Sequence, residues 1–192
     1  MRRRPFLLRL SAVAGILAAP FKPALAADDA LVARLRRGGH IILMRHAATV
    51  PGIGDPAGFV LSECATQRNL SDAGRADAAR IGAAFQRLAI PVGEVLSSRW
   101  CRCLDTARLA FGKAEPAPML DSMFDDGETQ RDAKLRQLAT WLKTPRGGAN
   151  TVLVTHDVNI RALAREAVRQ GEMVVATARP DGKLGVVGSW RP

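Results

Sequence analysis

Two strand-like apolar runs, each followed directly by a histidine motif, constrain the fold of this chain more than any other feature. One run covers residues 40–44 and leads into Arg45-His46, and the other covers 151–155 and leads into His156-Asp157. Runs of this kind alternate along the chain with amphipathic helical patterns, which predicts an α/β fold. We expect a three-layer αβα sandwich around a mostly parallel central sheet. Because ligands gather at the carboxyl ends of parallel strands, both motifs can line one pocket although they lie more than a hundred residues apart.

The remaining elements are predicted from periodicity and from turn residues. Predicted helices cover about 28–37, 71–88, 101–111, 135–142 and 159–169, and predicted strands cover 40–44, 94–97, 119–120, 151–155, 173–178 and 184–187. Residues 47–67 are rich in glycine, proline and threonine and predict a long loop over the pocket. The turn signal at 179–182 predicts a closing hairpin between the last two strands.

The first 26 residues have the layout of an export signal. Arg2-Arg3-Arg4 precede an apolar stretch from residue 6 to 19, and Ala24-Leu25-Ala26 offers a cleavage site. Residues 3–7 resemble the core of a twin-arginine signal, which predicts a periplasmic protein. A membrane anchor is the alternative, but the stretch is shorter than the roughly 20 residues that a spanning helix needs, and it contains Arg9. We expect residues 27–192 to form a single domain with no stable membrane insertion after cleavage.

The net charge of the chain indicates which kinds of molecule it can bind. The whole chain has a formal charge of +10, but the signal holds five basic and no acidic residues, so the remainder has a charge of +5. This charge suits an anionic substrate. The chain has no basic run or basic-aromatic stripe that could follow a nucleic-acid backbone, so we expect no nucleic acid as a partner.

Four blocks in order resemble the motifs of the histidine phosphatase superfamily, which includes phosphoglycerate mutase-like and acid phosphatase members. Residues 45–49 are similar to its Arg-His-Gly motif with a trailing threonine, and residues 70–75 to its Leu-Thr-x-x-Gly helix start. Residues 97–107 are similar to its Ser-Ser-Pro-x-x-Arg-Ala-x-x-Thr-Ala segment, and Thr155-His156 to its late histidine motif. The resemblance implies a phosphoglycerate mutase-like fold and a small periplasmic member that hydrolyses phosphomonoesters without a cofactor.

The resemblance also implies roles for individual residues. His46 would be the nucleophile that takes the phosphoryl group, and Arg45, Arg102 and His156 would hold its oxygens. The physical chemistry agrees, because a neutral imidazole is a fair nucleophile and guanidinium groups match phosphoryl oxygens bidentately.

Two acidic residues are candidates for the group that donates a proton to the leaving oxygen. His156-Asp157 resembles the acid phosphatase branch of the superfamily, in which the aspartate is the donor. Asp121 instead falls where the mutase-like branch carries its donor glutamate. Asp157 is the favoured donor, and Asp121 is the alternative.

Two further residues are candidates for substrate binding, and one departure from the pattern bears on turnover. Thr49 is the trailing threonine of the first motif, and Arg99 is either an extra substrate contact or a surface charge. Ala47 stands where glycine is usual, and a methyl group there could crowd the phosphate. The alternative function is therefore a phosphate-binding protein of the same fold without turnover.

A metal site is a third hypothesis, built on His46, His156 and Asp157. Binuclear phosphatase sites need more ligands than the three histidines of this chain supply, so we expect a metal-independent enzyme.

The cysteines allow one disulfide in an oxidising compartment. Cys64 can pair with Cys101 or Cys103, which would join two loops at the pocket, or all three can be small buried residues. A cysteine-nucleophile loop needs five residues between cysteine and arginine, whereas Cys103 and Arg108 are separated by four. That spacing argues against a thiolate mechanism.

The short distances between motifs predict an open pocket. Only 55 residues separate His46 from Arg102 and 53 separate Arg102 from His156, which leaves no room for a large cap domain. An open periplasmic site would admit a phosphorylated envelope sugar, a lipopolysaccharide phosphate or another small phosphomonoester.

Overall fold

The structure, a computed structural model, describes residues 25–145 and 147–192. The predicted export signal therefore lies almost wholly outside the described residues, and the predicted cleavage site after Ala26 lies at the start of the first helix. Within the described ranges, no helix is both long enough and apolar enough to cross a membrane.

The elements alternate between strand and helix along most of the chain. The helices are α1 (Leu25–Arg37), α2 (Asp72–Arg87), α3 (Cys101–Phe111), α4 (Glu128–Leu142) and α5 (Asp157–Ala164). The strands are β1 (Ile41–Arg45), β2 (Val92–Ser97), β3 (Glu115–Pro116), β4 (Asn150–Thr155), β5 (Met173–Ala178) and β6 (Leu184–Trp190). Two 3₁₀ helices cover Cys64–Thr66 and Pro118–Leu120.

The six strands form one sheet in the order β3-β2-β4-β1-β5-β6. Neighbouring strands are parallel from β3 to β1, whereas β5 is antiparallel to β1 and β6 is antiparallel to β5. Arg45 pairs with Thr155 in the register of β1 and β4, and the His46 N–H donates to Thr155 O at 3.0 Å. The mostly parallel sheet is confirmed, and it brings the two histidine motifs side by side.

Alternating side chains of the central strands bury two separate layers. Ile42 of β1 packs with the helices α1, α2 and α3, in a cluster that includes Leu35 and Ile81. Leu43 faces the other side and packs with α4 and α5, in a cluster that includes Leu138. Period-two alternation along a strand that is buried on both faces produces this division, and the three-layer αβα architecture is confirmed.

One predicted strand and one predicted helix end differ from the structure, and α4 begins seven residues before its predicted start at 135. Residues 119–120 were expected as a strand, but Pro118 opens a 3₁₀ turn in which the Leu120 N–H bonds to Ala117 O at 2.9 Å, and the edge strand lies earlier at Glu115–Pro116. Proline starts such a turn well because its ring presets φ and it has no N–H to satisfy.

The helix predicted to run to residue 169 ends at Ala164. Arg165 adopts the left-handed conformation with φ at 59°, and the chain turns back toward β1. This turn lets Val168 O accept a hydrogen bond from Arg45 Nη1 at 2.8 Å, so a contact with the candidate site outweighs the local helical pattern.

Candidate active site

Two buried imidazoles lie next to each other at the carboxyl ends of β1 and β4. The ring centroids of His46 and His156 are 5.5 Å apart, and the two residues are only 3% and 4% exposed. His46 directly follows β1, and His156 is the N-cap of α5. The crossover connections of the parallel sheet thus bring both histidines to one pocket.

The protonation state of His46 follows from its surroundings. Burial lowers its pKa to about 3, the charges of Arg102, Arg45 and Arg68 act in the same direction, and the hydrogen bond to Ala47 opposes them. His46 Nδ1 lies 2.8 Å from Ala47 O, which places the proton of the neutral ring on Nδ1. Nε2 is therefore left with its lone pair, which is the form that a nucleophile requires.

His156 is held as the same tautomer by a different contact. Its Nε2 lies 2.9 Å from Ser98 Oγ, and Asp121 Oδ1 is a more distant acceptor for that hydroxyl at 3.4 Å. We therefore assign the Ser98 hydroxyl as the donor and His156 Nε2 as the acceptor. The proton of the neutral His156 ring is then on Nδ1. Burial lowers the pKa of His156 well below its usual value, so both rings of the pair are neutral near pH 7.

Three guanidinium groups line the same pocket, those of Arg45, Arg68 and Arg102. The Nε atom of each is buried and has no hydrogen-bond partner within residues 25–145 and 147–192. Buried donors without a partner are costly, and three of them around one imidazole form an unusual concentration. Three guanidinium groups that line one pocket fit the binding of an oxyanion there.

Arg68 lines the pocket although it belongs to none of the four sequence motifs. Its Nη1 donates to Thr49 Oγ1 at 2.9 Å and to Gly52 O at 2.8 Å, and burial and the charge of Arg102 lower its pKa. The one available signal was its position two residues before Leu70, which an isolated bridge to Thr49 places beside the first motif. The long loop carries no periodicity that would have shown this.

Asp55, on the same long loop, was also missed. Its carboxylate accepts from Arg102 Nη1 at 2.8 and 3.1 Å, from Trp100 Nε1 at 2.9 Å and from the Arg68 N–H at 2.9 Å. Burial alone would raise the pKa of Asp55, but these hydrogen bonds and the charge of Arg102 outweigh it and lower the pKa. Asp55 is thus an ionised group that fixes one end of Arg102 and leaves Arg102 Nε unpaired.

The two candidate proton donors have different surroundings. Asp157 lines the pocket, accepts from Arg161 Nε at 2.7 Å and lies 3.9 Å from Arg45 Nη1. Asp121 is 2% exposed and is not among the residues that line this pocket. The structure therefore brings Asp157 to the two imidazoles and leaves Asp121 behind Ser98.

The two predicted substrate-binding residues lie behind the lining. Arg99 uses its backbone N–H and its Nε to bind Asp121, both at 2.8 Å, which explains the burial of that carboxylate. Thr49 Oγ1 accepts from Arg68 Nη1 and, at 3.3 Å, from Gln170 Nε2. In this structure Arg99 and Thr49 therefore hold neighbouring side chains, and neither lines the pocket.

Ala47 is fully buried and its side chain does not line the pocket. It forms a small apolar cluster with Leu70 and Ala78 at the start of α2. Its N–H donates a hydrogen bond to Thr106 Oγ1 at 3.0 Å. The methyl group therefore fills a gap beneath α2 and does not crowd the pocket.

A disulfide joins Cys64 to Cys101, one of the two pairings considered from the sequence. Cys101 is the first residue of α3 and precedes Arg102, so the bond ties the long loop to the helix that carries an arginine of the pocket. Cys103 is free and fully buried, and burial raises its pKa to about 12. Its thiol is therefore protonated and is not a nucleophile.

The metal hypothesis finds no ligand cluster in the described part of the chain. Within residues 25–145 and 147–192, no group of three or more histidine, cysteine, aspartate or glutamate side chains could hold a metal ion.

Solved structures of the histidine phosphatase superfamily share this fold. The protein histidine phosphatase SixA complexed with tungstate is 15% identical, with a TM-score of 0.56 over 80% of this chain and 97% of that one. YhfR from Bacillus stearothermophilus is 14% identical, with a TM-score of 0.59 over 77% of this chain and 95% of that one. A phosphoserine phosphatase mutant from Entamoeba histolytica in complex with phosphoserine is 13% identical, with a TM-score of 0.57 over 78% and 95%.

Neither a scan of protein-family models nor a search of curated proteins finds a match to the chain. At identities this low, the likeness to solved structures shows the fold, and the predicted phosphoglycerate mutase-like fold is confirmed.

Proposed function

We propose that this chain, which has the histidine phosphatase fold, hydrolyses phosphomonoesters through a phosphohistidine on His46. The observation that carries the proposal is the set of three unpaired guanidinium Nε donors, on Arg45, Arg68 and Arg102, around a neutral buried imidazole. Such a set provides both a nucleophile and the donors that stabilise charge on a transferring phosphoryl group.

In the first step, His46 Nε2 attacks phosphorus and the bond from phosphorus to the ester oxygen breaks. The hydrogen bond from Nδ1 to Ala47 O holds the ring in place and stabilises the positive charge that the ring gains. The guanidinium groups and the Nδ1–H of His156 bind the non-bridging oxygens. Positioning and charge compensation supply most of the catalysis in a reaction of this kind.

The leaving oxygen needs a proton, and Asp157 is the acid we assign to it. Asp157 lines the pocket at the first residue of α5, whereas Asp121 is bound by Arg99. In the second step, the Asp157 carboxylate takes a proton from water, which attacks the phosphohistidine. The phosphorus–nitrogen bond breaks and inorganic phosphate leaves, so the histidine and the acid return to their starting states.

The charge of the pocket favours a monoester over a diester. The pocket lining holds four arginines, Arg45, Arg68, Arg102 and Arg169, against the carboxylates of Asp55 and Asp125, which leaves two positive charges. Asp157 adds no charge to this balance when it carries the proton that it donates to the leaving oxygen. A phosphomonoester carries close to two negative charges near pH 7, whereas a diester carries one.

The alternative, a phosphate-binding protein without turnover, drew its support from Ala47. Because that methyl group packs against Leu70 and Ala78 rather than in the pocket, the geometry favours the enzyme.

We further propose that the enzyme needs no metal and acts in the periplasm on a small phosphorylated substrate or an envelope phosphate. The location rests on the twin-arginine resemblance of residues 3–7. A fusion of residues 1–26 to a reporter that is active only after export tests it, with Arg3→Lys and Arg4→Lys together as the variant that should block export.

The activity is tested with purified protein and p-nitrophenyl phosphate, with and without a chelator. We expect hydrolysis that the chelator does not change and an acid-labile, base-stable phosphoenzyme. His46→Ala should abolish both, while His40→Ala should keep them, because His40 lies away from the pocket with its Nδ1 bound to Gly38 O. Loss of activity with the chelator would indicate a metal enzyme, and tight phosphate binding without turnover would indicate a binding protein.

The proton donor is tested by the dependence on the leaving group. Asp157→Asn should slow hydrolysis of an alkyl phosphate far more than that of p-nitrophenyl phosphate, whose leaving group needs no proton. Asp125→Asn, at the exposed rim of the same pocket, is the matched control. An equal loss on both substrates would overturn the assignment.

A further inference from the structure

The outer part of the pocket carries two large apolar side chains that are exposed to solvent. Ile53, on the long loop, is 91% exposed, and Phe124, on the segment that precedes α4, is 55% exposed. Both line the pocket that contains His46. Single exposed apolar residues are common, but these two lie on separate segments and meet at one opening.

The backbone at Gly54 brings these two segments together. A Cβ added at Gly54 would lie 3.9 Å from Phe124 Cε1, so the loop that carries Ile53 passes close to the Phe124 ring. We call Ile53 and Phe124 the apolar rim. Both side chains of the rim therefore lie at one opening of the pocket and stay exposed.

An aromatic wall continues this apolar character down to the imidazoles. The Trp100 ring lies edge-on to the His156 ring, with centroids 5.6 Å apart, and Phe59 packs on Trp100 at 5.8 Å. The polar edge of Trp100 is occupied, because Nε1 donates to Asp55 at 2.9 Å. Trp100 can thus offer a ligand an apolar surface next to the phosphate position.

The neutral polar side chains of the outer pocket are already engaged. Gln170 Nε2 donates to Thr49 Oγ1 at 3.3 Å, and Ser122 Oγ accepts from the Phe124 N–H at 3.2 Å. A sugar needs several convergent hydrogen-bonding groups, and these two are committed to partners within the protein.

We propose that the substrate is a phosphomonoester with an apolar alcohol group, which the apolar rim and Trp100 contact while the guanidinium groups bind the phosphate. This inference rests on the proposed function, since it assumes a phosphomonoester in the pocket. The guanidinium groups of the pocket and the apolar rim at its opening together match an amphiphilic ester that carries its charge at one end.

The test compares ethyl phosphate with hexyl phosphate, two primary alkyl esters with leaving groups of similar basicity. We expect kcat/KM to be about tenfold higher for hexyl phosphate, from partial burial of four additional methylene groups. The gain should appear in KM with kcat unchanged within about twofold, because contacts at the rim are the same in the ground and transition states.

The variant Ile53→Ser with Phe124→Ser should remove the preference for hexyl phosphate over ethyl phosphate. Val186→Ser is the matched control, because Val186 on β6 is 42% exposed and lies outside the pocket. A preference that survives the double substitution, or equal rates for the two esters in the wild type, would overturn the proposal.

Binding of ethylphosphonate and hexylphosphonate, measured by calorimetry, separates this inference from the proposed function. If neither ester is hydrolysed but hexylphosphonate binds about tenfold more tightly than ethylphosphonate, apolar binding at the rim is supported and the proposed hydrolysis is not. If both esters are hydrolysed and the phosphonates bind equally, the rim proposal fails alone. Self-association that Ile53→Ser abolishes would mean that a second copy covers the rim, and would also overturn it.

Discussion

At the scale of the residue, the neutral state of His46 links reactivity to stability. Its pKa is about 3 in the folded protein, mainly through burial, against an ordinary value of 6.5. Between these values the unfolded chain binds a proton that the folded protein does not, so the free energy of unfolding falls as the pH falls below 6.5. The site thus keeps its nucleophile unprotonated at the expense of stability in acid.

We predict that His46→Asn makes the protein less sensitive to acid. From pH 6.5 to 4.5, the lowered pKa of His46 should account for about 2 kcal/mol of lost unfolding free energy, because the unfolded histidine is already half protonated at pH 6.5. Urea unfolding at both pH values measures this loss in the wild type and in His46→Asn, which should lose less by about that amount. His40→Asn serves as the control and should keep the wild-type loss; the same loss in all three proteins would contradict the prediction.

The residues of the site were accessible from the sequence to different degrees. The structure brings Arg45, His46 and His156 together because they lie at the ends of adjacent parallel strands. Apolar runs in the sequence predict those strands. Arg68 and Asp55 escaped notice because their contacts depend on the path of an irregular loop, and no residue spacing encodes that path.

At the scale of the element, the start of α2 shows why glycine is needed in the Leu-Ser-x-x-Gly block. Ser71 caps the helix, with its Oγ accepting from the Gly74 N–H at 3.1 Å, and the Ser71 N–H donates to Ala48 O at 3.0 Å. A Cβ added at Gly74 would lie 1.8 Å from Ala48 O. Only glycine lets the first turn of α2 pack on the backbone that follows His46.

We predict that Gly74→Ala lowers both stability and kcat, because α2 must move away from Ala48 and the backbone beside His46 shifts with it. Gly82→Ala is a matched control on the same helix, since its Cβ would lie 2.1 Å from Ala110 O, at the opposite end of α3 from Arg102. Each variant should lose about 2–3 kcal/mol in urea unfolding. Only Gly74→Ala should also lower kcat, by tenfold or more, which corresponds to a rise of about 1.4 kcal/mol in the activation barrier. If both variants lowered kcat equally, the packing of α2 on Ala48 would not be what positions His46.

The disulfide provides a second prediction about elements. Cys64 and Cys101 are 37 residues apart, and closing a loop of that length should stabilise the protein by roughly 4 kcal/mol in the chain-entropy model. The double variant Cys64→Ser with Cys101→Ser should lose about this much in urea unfolding and should not respond to reductant. Wild-type protein in reductant should match it, and a wild type that ignores reductant would argue against the bond.

Element bounds were predicted best where a capping residue marks them. Gly112 ends α3 in the left-handed conformation at φ 72°, and Ser71 starts α2, both as predicted. The end of α5 was not readable, because Arg165 adopts a left-handed conformation that its residue type does not favour. Hydrogen bonds between the segment after Arg165 and β1 stabilise that turn. These are tertiary interactions, which the local sequence pattern of α5 does not show.

At the scale of the whole molecule, the pocket draws on segments from both ends of the described chain. β1 supplies Arg45, the long loop Arg68, α3 Arg102, and the residue before α5 His156. An oxyanion held by all four would join these segments only in the folded state. Ligands that bind the folded state alone raise the free energy of unfolding by mass action.

We therefore predict that tungstate or phosphate raises the melting temperature of the whole domain. At a concentration of about 100 times Kd, the gain is about 2.7 kcal/mol, or about 5–10 °C for a chain of this size. Arg102→Gln should lose most of the shift, because it removes one of the unpaired Nε donors. Arg75→Gln, an exposed arginine paired with Asp105 on the surface, should keep it, and an equal shift in both variants would show that the anion binds outside the pocket.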